Sequence, residues 1–341
     1  MRSTLRAIWF LVPDPFSARG ANAMTNRLHA IIRRTHCLGT HHRFAIDALP
    51  MIRSEAGKRF TAWLLYYHRS FLRGAIDPDI RFRDYQNHIL HVRDGDWGGA
   101  PRVAHQWYNR LQKYLRAERF RDAAHAAGVL SHYITDMAQP LHTTSNEREA
   151  LIHRPLEWSV DQSYDRIRQK WHDDQINAVI QLADGPGWLG SLMMHLAHHA
   201  NGHSDRLIRH YRFHDGVRDP CQGLDEHTVT SLAELFCLAI TAVSLVLDRA
   251  AEEAESYTGY PIPECRCGWA LIGATLRAPI AVWKKRVRRH VQSRSVRALA
   301  EEYFKTGSLS QWLPAEVDIK RRVIAIRQDE KRRKQARRAA A

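Results

Sequence analysis

No run of about 18 or more uninterrupted apolar residues occurs in the 341-residue chain, which argues against a membrane-spanning helix. Cysteine is scarce. Cys37, Cys221, Cys237, Cys265 and Cys267 are too few and too irregularly spaced for a disulfide framework, and the lone Cys265-x-Cys267 reads as an ordinary loop. No segment of any length shows sustained period-two alternation, so strands are not expected and the fold class is all-α. Acidic residues are outnumbered, 36 against 51 basic, which leaves a formal net charge of +15. Such an excess favours anionic partners, either nucleic acid or an acidic membrane surface, and much of it lies near the C-terminus. A basic start (Met1 to Arg6) precedes a short apolar piece, residues 7–12, that Pro13 and Pro15 cut off. Although Ala21 to Ala23 has the small-x-small form of a cleavage site, this is a poor signal peptide. Residues 1–34 are expected to be a leader or extension, with a cytoplasmic location favoured over export.

What the chain does have is a dense set of metal-ligand residue types between Ser131 and Trp158. His132, Asp136, His142, His153 and Glu157 fall in the order H-x3-D-x5-H-x10-H-x3-E. His132 and Asp136 lie four apart at the end of an Ala-rich helical run expected over 122–134, and on a helix such a pair shares one face. His153 and Glu157 repeat that geometry at the start of the next helix. Gln139-Pro140-Leu141 turns the chain between them, and His142 follows immediately. One histidine alone is usually a satisfied core or surface residue, whereas five ligand-type residues at fixed intervals rarely arise by chance. Imidazoles and carboxylates without thiolate suit Zn²⁺ in a hydrolytic site.

This stretch resembles the zinc-dependent phospholipase C family, whose text HYxxDxxQPxHxxN is matched by His132, Tyr133, Asp136, Gln139, Pro140, His142 and Asn146. The resemblance covers about residues 35–255. It implies a multi-helix domain, phosphodiester hydrolysis, two to three zinc ions, and a phospholipid or similar phosphoester substrate. Further site residues are implied as well. A Thr-His pair opening the first helix, with Ala-Leu seven and eight residues on, fits Thr40-His41 with Ala48-Leu49, so His41 is the expected ligand and His36 and His42 compete. Pro78-Asp79 and Tyr85-Gln86-Asn87-His88 match two more pieces, giving Asp79 and His88, with Asp77 and His91 as alternates. On this likeness His88, His132 and Asp136 would hold one zinc, with Asp79 as fourth ligand or general base. His142, His153 and Glu157 would hold a second, and Asp136 would bridge to a third that His41 also binds. The family completes that third site with an N-terminal tryptophan. Here no tryptophan stands between Trp9 and Trp63, so either His36 or His42 substitutes, or the third site is weak or empty.

The related single-strand-specific zinc nucleases share H-x3-D-x5-H but close it with H-x3-D and carry Gly-Gly-Asn after the third ligand. Glu157 and Thr143-Thr144-Ser145-Asn146 depart from both features. A nuclease-like zinc hydrolase is therefore the alternative reading, and a non-catalytic anion-binding protein the third. Other helices are expected over 55–73 with Gly74 as the stop, from Pro101 to about 117, through 171, over 176–182, from about 188, and over 228–254 as a buried element. His195, His199 and His203 recur at spacing four, but no carboxylate shares their face. The core domain is expected to span 35–257. Residues 258–341 form a basic helical extension, read as a solvated tail or as a surface for a phosphate-rich partner.

Overall fold

A computed structural model describes residues 18–307 and 314–339, so the N-terminal basic-apolar segment falls outside the described residues. Among those residues there is no strand. The helices are α1 (Ala18–Ile31), α2 (Thr40–Ala48), α3 (Glu55–Tyr66), α4 (His68–Gly74), α5 (Ala100–Arg116) and α6 (Phe120–Met137). They continue with α7 (Glu147–Asp173), α8 (Trp188–His210), α9 (Phe213–Arg218), α10 (Glu226–Thr258), α11 (Gly268–Thr306) and α12 (Pro314–Ala339).

The centre of the bundle is α10, which packs against α2, α3, α5, α6, α7 and α8. Its apolar residues run nearly all round (Leu232, Leu235, Phe236, Ile240, Val243 and Leu247 are all buried), and a helix of that kind is stable only inside other helices. It is long and apolar enough to cross a membrane, but 78% of its most apolar window lies inside the fold. Asp225 caps its start by accepting from Thr228 N at 2.8 Å, and Gly259, with φ at 66°, ends it in the left-handed conformation.

Three helical expectations are corrected. The helix expected over 55–73 divides at Tyr67, whose φ and ψ of −93° and 30° redirect the chain into α4. Gly74 is not a left-handed stop. It is the last residue of α4, and its role is close approach, because a Cβ there would lie 2.1 Å from the His125 carbonyl oxygen on α6. Residues 176–182 are not helical. The chain here is extended but pairs with no strand among the described residues, and a short alternation that the helical expectation passed over turns Ile176, Ala178, Ile180 and Leu182 to the core while Asn177, Val179 and Gln181 are exposed.

Gly128 on α6 mirrors Gly74, since a Cβ there would fall 2.1 Å from the Phe71 carbonyl oxygen. This contact brings the α4 C-terminus onto α6 and sets Ala75 O at 2.8 Å from His132 Nδ1. Gly128→Ala should therefore destabilise the fold by on the order of 1–3 kcal/mol through overpacking. Thermal melting checks it, and a melting temperature unchanged from the parent would show that the two helices can separate freely.

Residues on both sides of the positions expected as domain boundaries share one buried cluster, which includes Leu28 and Ile32 as well as Ala274, Val296 and Leu299. The extension is thus not simply a solvated tail. α11 packs against α1, the π turn Ile32–His36, α7 and α9, while α12 reaches the turn Tyr85–His88.

Candidate metal centre

Helix α6 supplies the axis of the site. Its last two turns carry His132 and Asp136, both fully buried, at the spacing that stacks them on one face. Helix α2 brings His41 alongside. It is fixed to α7 by the buried ion pair between Arg43 and Asp161, with the Arg43 guanidinium over the Tyr164 ring, and to the N-terminal turn by Arg33–Asp47 at 2.7 Å. The His41 and His132 rings stack with centroids 3.9 Å apart. Asp79 arrives from the π turn Pro78–Phe82 and His88 from the 3-10 turn Tyr85–His88. His142 ends the 3-10 turn Pro140–His142, and His153 and Glu157 follow on α7, which begins at the Asn146 cap.

All eight residues picked from the sequence converge. Three groups bring their ligand atoms within 4.8 Å of one another: His41, Asp79 and His132; His88, His132 and Asp136; His142, His153 and Glu157. Asp136 lies between them. Its Oδ2 stands 3.0 Å from His88 Nδ1 and 3.3 Å from His132 Nε2, while Oδ1 stands 3.6 Å from His41 Nε2 and 3.5 Å from His142 Nδ1. Asp79 Oδ1 is 3.6 Å from His132 Nε2, and Glu157 Oε1 is 3.3 Å from His153 Nε2.

A cation fits these residues on physical grounds. Both Asp136 oxygens are buried, yet neither receives a well-aligned hydrogen bond. A buried carboxylate left in that state is costly unless a cation compensates it. The imidazoles are also oriented from behind. His132 Nδ1 meets Ala75 O at 2.8 Å, His41 Nδ1 meets Thr135 Oγ1 at 2.9 Å, His142 Nδ1 meets His88 O at 3.0 Å, and His153 Nδ1 meets Glu149 Oε1 at 2.5 Å. Each such bond fixes the ring so that Nε2 faces inward, which is the support that metal-ligating histidines usually have. His88 is reversed, with Nδ1 inward and Nε2 3.4 Å from Asp84, a carboxylate that also accepts from Tyr133 OH at 2.8 Å.

Protein groups alone hold this cluster in an uneven charge state. Burial lowers the His88 pKa, but the close carboxylates of Asp136 and Asp84 outweigh it and raise the pKa to about 10. For Asp136, burial acts upward and the surrounding histidines more than reverse it, so the carboxyl stays well below its usual range. Desolvation, aided by the neighbouring His132, lowers His41 to about 4.

The alternates lie elsewhere. His36 Nε2 meets Ala274 O at 3.0 Å, and His42 Nδ1 accepts from Leu38 N at 2.9 Å, so neither substitutes in a third metal site. Asp77 is buried against His125 Nε2 at 2.8 Å. His91 lines the cleft but pairs with Asp94. His195, His199 and His203 form a row of rings on α8 with the single carboxylate of Glu234 beside His203, and no three ligand atoms converge there among the described residues. Sequence reasoning missed Glu149, Asp84 and Thr135. The first two stand four residues before the histidines they orient, a spacing that is readable; nothing local marks Thr135.

The cluster lies in a cleft of about 1490 Å³. Its lining includes the apolar Phe44, Leu151, Leu235 and Phe236 and the basic Arg154, Arg288, Arg321 and Arg327. The last three come from α11 and α12, so the basic extension forms part of the cleft rather than trailing from it.

An all-α bundle that gathers histidines and carboxylates in one partly apolar cleft has the build of a metal-dependent hydrolase. Residues 40–212 match the family described as zinc dependent phospholipase C, and the chain belongs to that family. It is therefore a zinc-dependent phosphodiester hydrolase of phospholipase C type, and a phospholipid is its class of substrate. The match contains all eight site residues and leaves α9 to α12 outside it. No curated protein and no solved structure matches the chain.

Proposed function

We propose that the enzyme binds up to three zinc ions and cleaves the phosphodiester of a phospholipid whose acyl chains lie along the apolar lining. The observation that carries this is that apolar side chains, the histidine–carboxylate cluster and arginines line one cleft. His88, His132 and Asp136 would hold one zinc, His142, His153 and Glu157 a second, and His41 with Asp136 a third. Zinc bound by such ligands acidifies water, moving its pKa from 15.7 to about 7, and acts as a Lewis acid toward a phosphoryl oxygen. Asp79, whose side chain is 44% exposed, would take the proton from the attacking water. The phosphorus–oxygen bond to the diacylglycerol breaks as the water oxygen bonds to phosphorus, and the departing alkoxide takes up a proton. Arg288 and Arg327 attract the anionic headgroup. The basic extension as a whole favours an anionic surface, either a membrane or a nucleic acid.

The experiment compares three substrates: a short-chain diacylphosphatidylcholine below its micelle concentration, a chromogenic phosphocholine ester without acyl chains, and single-stranded DNA. The diacyl lipid should be cut at least about tenfold more efficiently than the ester, because the apolar lining contributes binding only to a substrate with chains. DNA should remain intact. Cleavage of DNA with the lipid untouched would replace this reading with the nuclease one.

A further inference from the structure

Helix α11 carries a row of large apolar side chains that nothing among the described residues covers. Trp269, Ile272, Leu276, Ile280, Trp283, Val287 and Val291 are all exposed, Trp269 at 81%, Leu276 at 74% and Trp283 at 63%. Their spacing of three and four residues returns each to the same side of a helix that turns about 100° per residue, and the row extends over about 33 Å. Single exposed apolar residues are ordinary, but a continuous row of this length marks a surface that meets a partner. Ala274, Ala281 and Val296 are buried on the side of α11 that faces the bundle.

The chemistry beside the row selects the partner. Between Gly268 and Ala300 there are eight Lys or Arg residues and no Asp or Glu. Lys284 lies to one side of the row, Arg286 and Arg289 to the other, and Arg294 follows Val291; all four are exposed. An apolar stripe between cationic flanks suits a helix lying at the boundary between headgroups and acyl chains of an anionic bilayer. Trp269 and Trp283 are of the type that settles at that boundary, with an apolar ring and one polar N–H. A second copy of the chain would bring two cationic flanks together, and a nucleic acid would satisfy the charge while leaving the apolar row in water. The same helix turns Arg288, Gln292 and Val296 into the catalytic cleft.

We propose that α11 is an interfacial helix that seats the enzyme on an anionic phospholipid surface with its cleft one helix width away. This deepens the proposed reading of the enzyme as a phospholipid hydrolase and rests on it for the choice of lipid as partner.

The test uses the full chain and sucrose-loaded vesicles of phosphatidylcholine with 30 mol% phosphatidylglycerol, against vesicles of phosphatidylcholine alone. The parent protein should sediment with the anionic vesicles, and its tryptophan fluorescence should be quenched by brominated acyl chains. In the variant Trp269→Gln/Leu276→Gln/Trp283→Gln, vesicle binding should fall by at least about 30-fold and the quenching should be lost. Turnover of the monomeric short-chain lipid should stay within about twofold, because the three residues are solvent-facing and outside the cleft. A charge variant, Lys284→Glu/Arg286→Glu/Arg289→Glu, should also weaken binding and lower its salt dependence. Vesicle binding needs no turnover, so failure of the hydrolase reading would show in the monomer assay and not here. Unchanged vesicle binding by the glutamine variant overturns the interfacial helix. So does light scattering that finds the parent dimeric and the variant monomeric, since the row would then cover a second copy.

Discussion

Asp136→Asn should reduce turnover by at least about a thousandfold and lower zinc content, whereas Asp79→Asn should keep most of the zinc and act mainly on rate. The difference follows from where the two carboxylates sit. The Asp136 oxygens face opposite ways, Oδ2 toward His88 and His132 and Oδ1 toward His41 and His142, so one side chain serves two clusters. The amide keeps the shape but replaces one oxygen by an NH2 group, which carries no negative charge and cannot ligate a cation. One cluster then loses its anion and the other keeps a neutral carbonyl. Losing charge stabilisation of a phosphoryl transition state commonly carries an effect of two or three orders of magnitude per group, and here two clusters are affected. Asp79 reaches the same histidines from the open side, at 3.6 Å and 3.7 Å, with nearly half of its side chain in the cleft. Zinc content and turnover measured side by side for the two variants decide the matter. If Asp136→Asn keeps its full zinc while Asp79→Asn is stripped, the bridging role belongs to Asp79.

Removing zinc with a chelator should abolish activity and lower the melting temperature by on the order of 10 °C near pH 8. The difference between loaded and stripped protein should shrink as the pH falls toward about 5.5. Two effects act in the same direction. In the stripped protein His88, raised to about 10, and His153, raised well above its ordinary value by Glu157 and Glu149 against the effect of burial, carry protons at neutral pH. Their pairing stabilises the stripped fold fully below the unfolded histidine value of about 6.5 and is lost as pH climbs toward 10. Asp136, being depressed, contributes fully above the unfolded carboxylate value near 3.9, and its contribution is lost as the pH falls from there through the lower folded value. The stripped cluster is therefore best satisfied at mildly acid pH, where protons also compete with zinc for the same nitrogens. Titrating zinc into stripped protein in buffers of different ionisation enthalpy should show proton release at pH 7. A release of zero, or a melting difference that grows in acid, would mean that the histidines are neutral before the metal arrives.

The α11 row extends this picture to the substrate's own surroundings. A cleft that takes acyl chains, as proposed, would act on monomers, but lipid in a bilayer must first come within reach. Helix α11 has one face in the cleft and the other in solvent, so the position of the bilayer and the position of the substrate would be set by the same rigid element.

Two pairs of the cluster were legible in the sequence because spacing within one helix is a local property. His132 with Asp136, and His153 with Glu157, are four apart, and any helix stacks such pairs whatever surrounds it. The all-α class and the buried nature of α10 follow in the same way from period and composition. Which candidate wins between near neighbours is not local. Asp77 and Asp79 differ by two residues, and only the π turn at Pro78 sends one to His125 and the other to His132. His36, His41 and His42 look alike in the sequence. The rotation of α2, set by Arg43 on Asp161 of α7 and by the π turn before it, points His41 alone at Asp136. The course of the basic extension was likewise hidden, because its arginines read as a solvated run until α11 and α12 are seen to line the cleft. In each case the deciding contacts join segments far apart in the chain, and their geometry exists only once the bundle has packed.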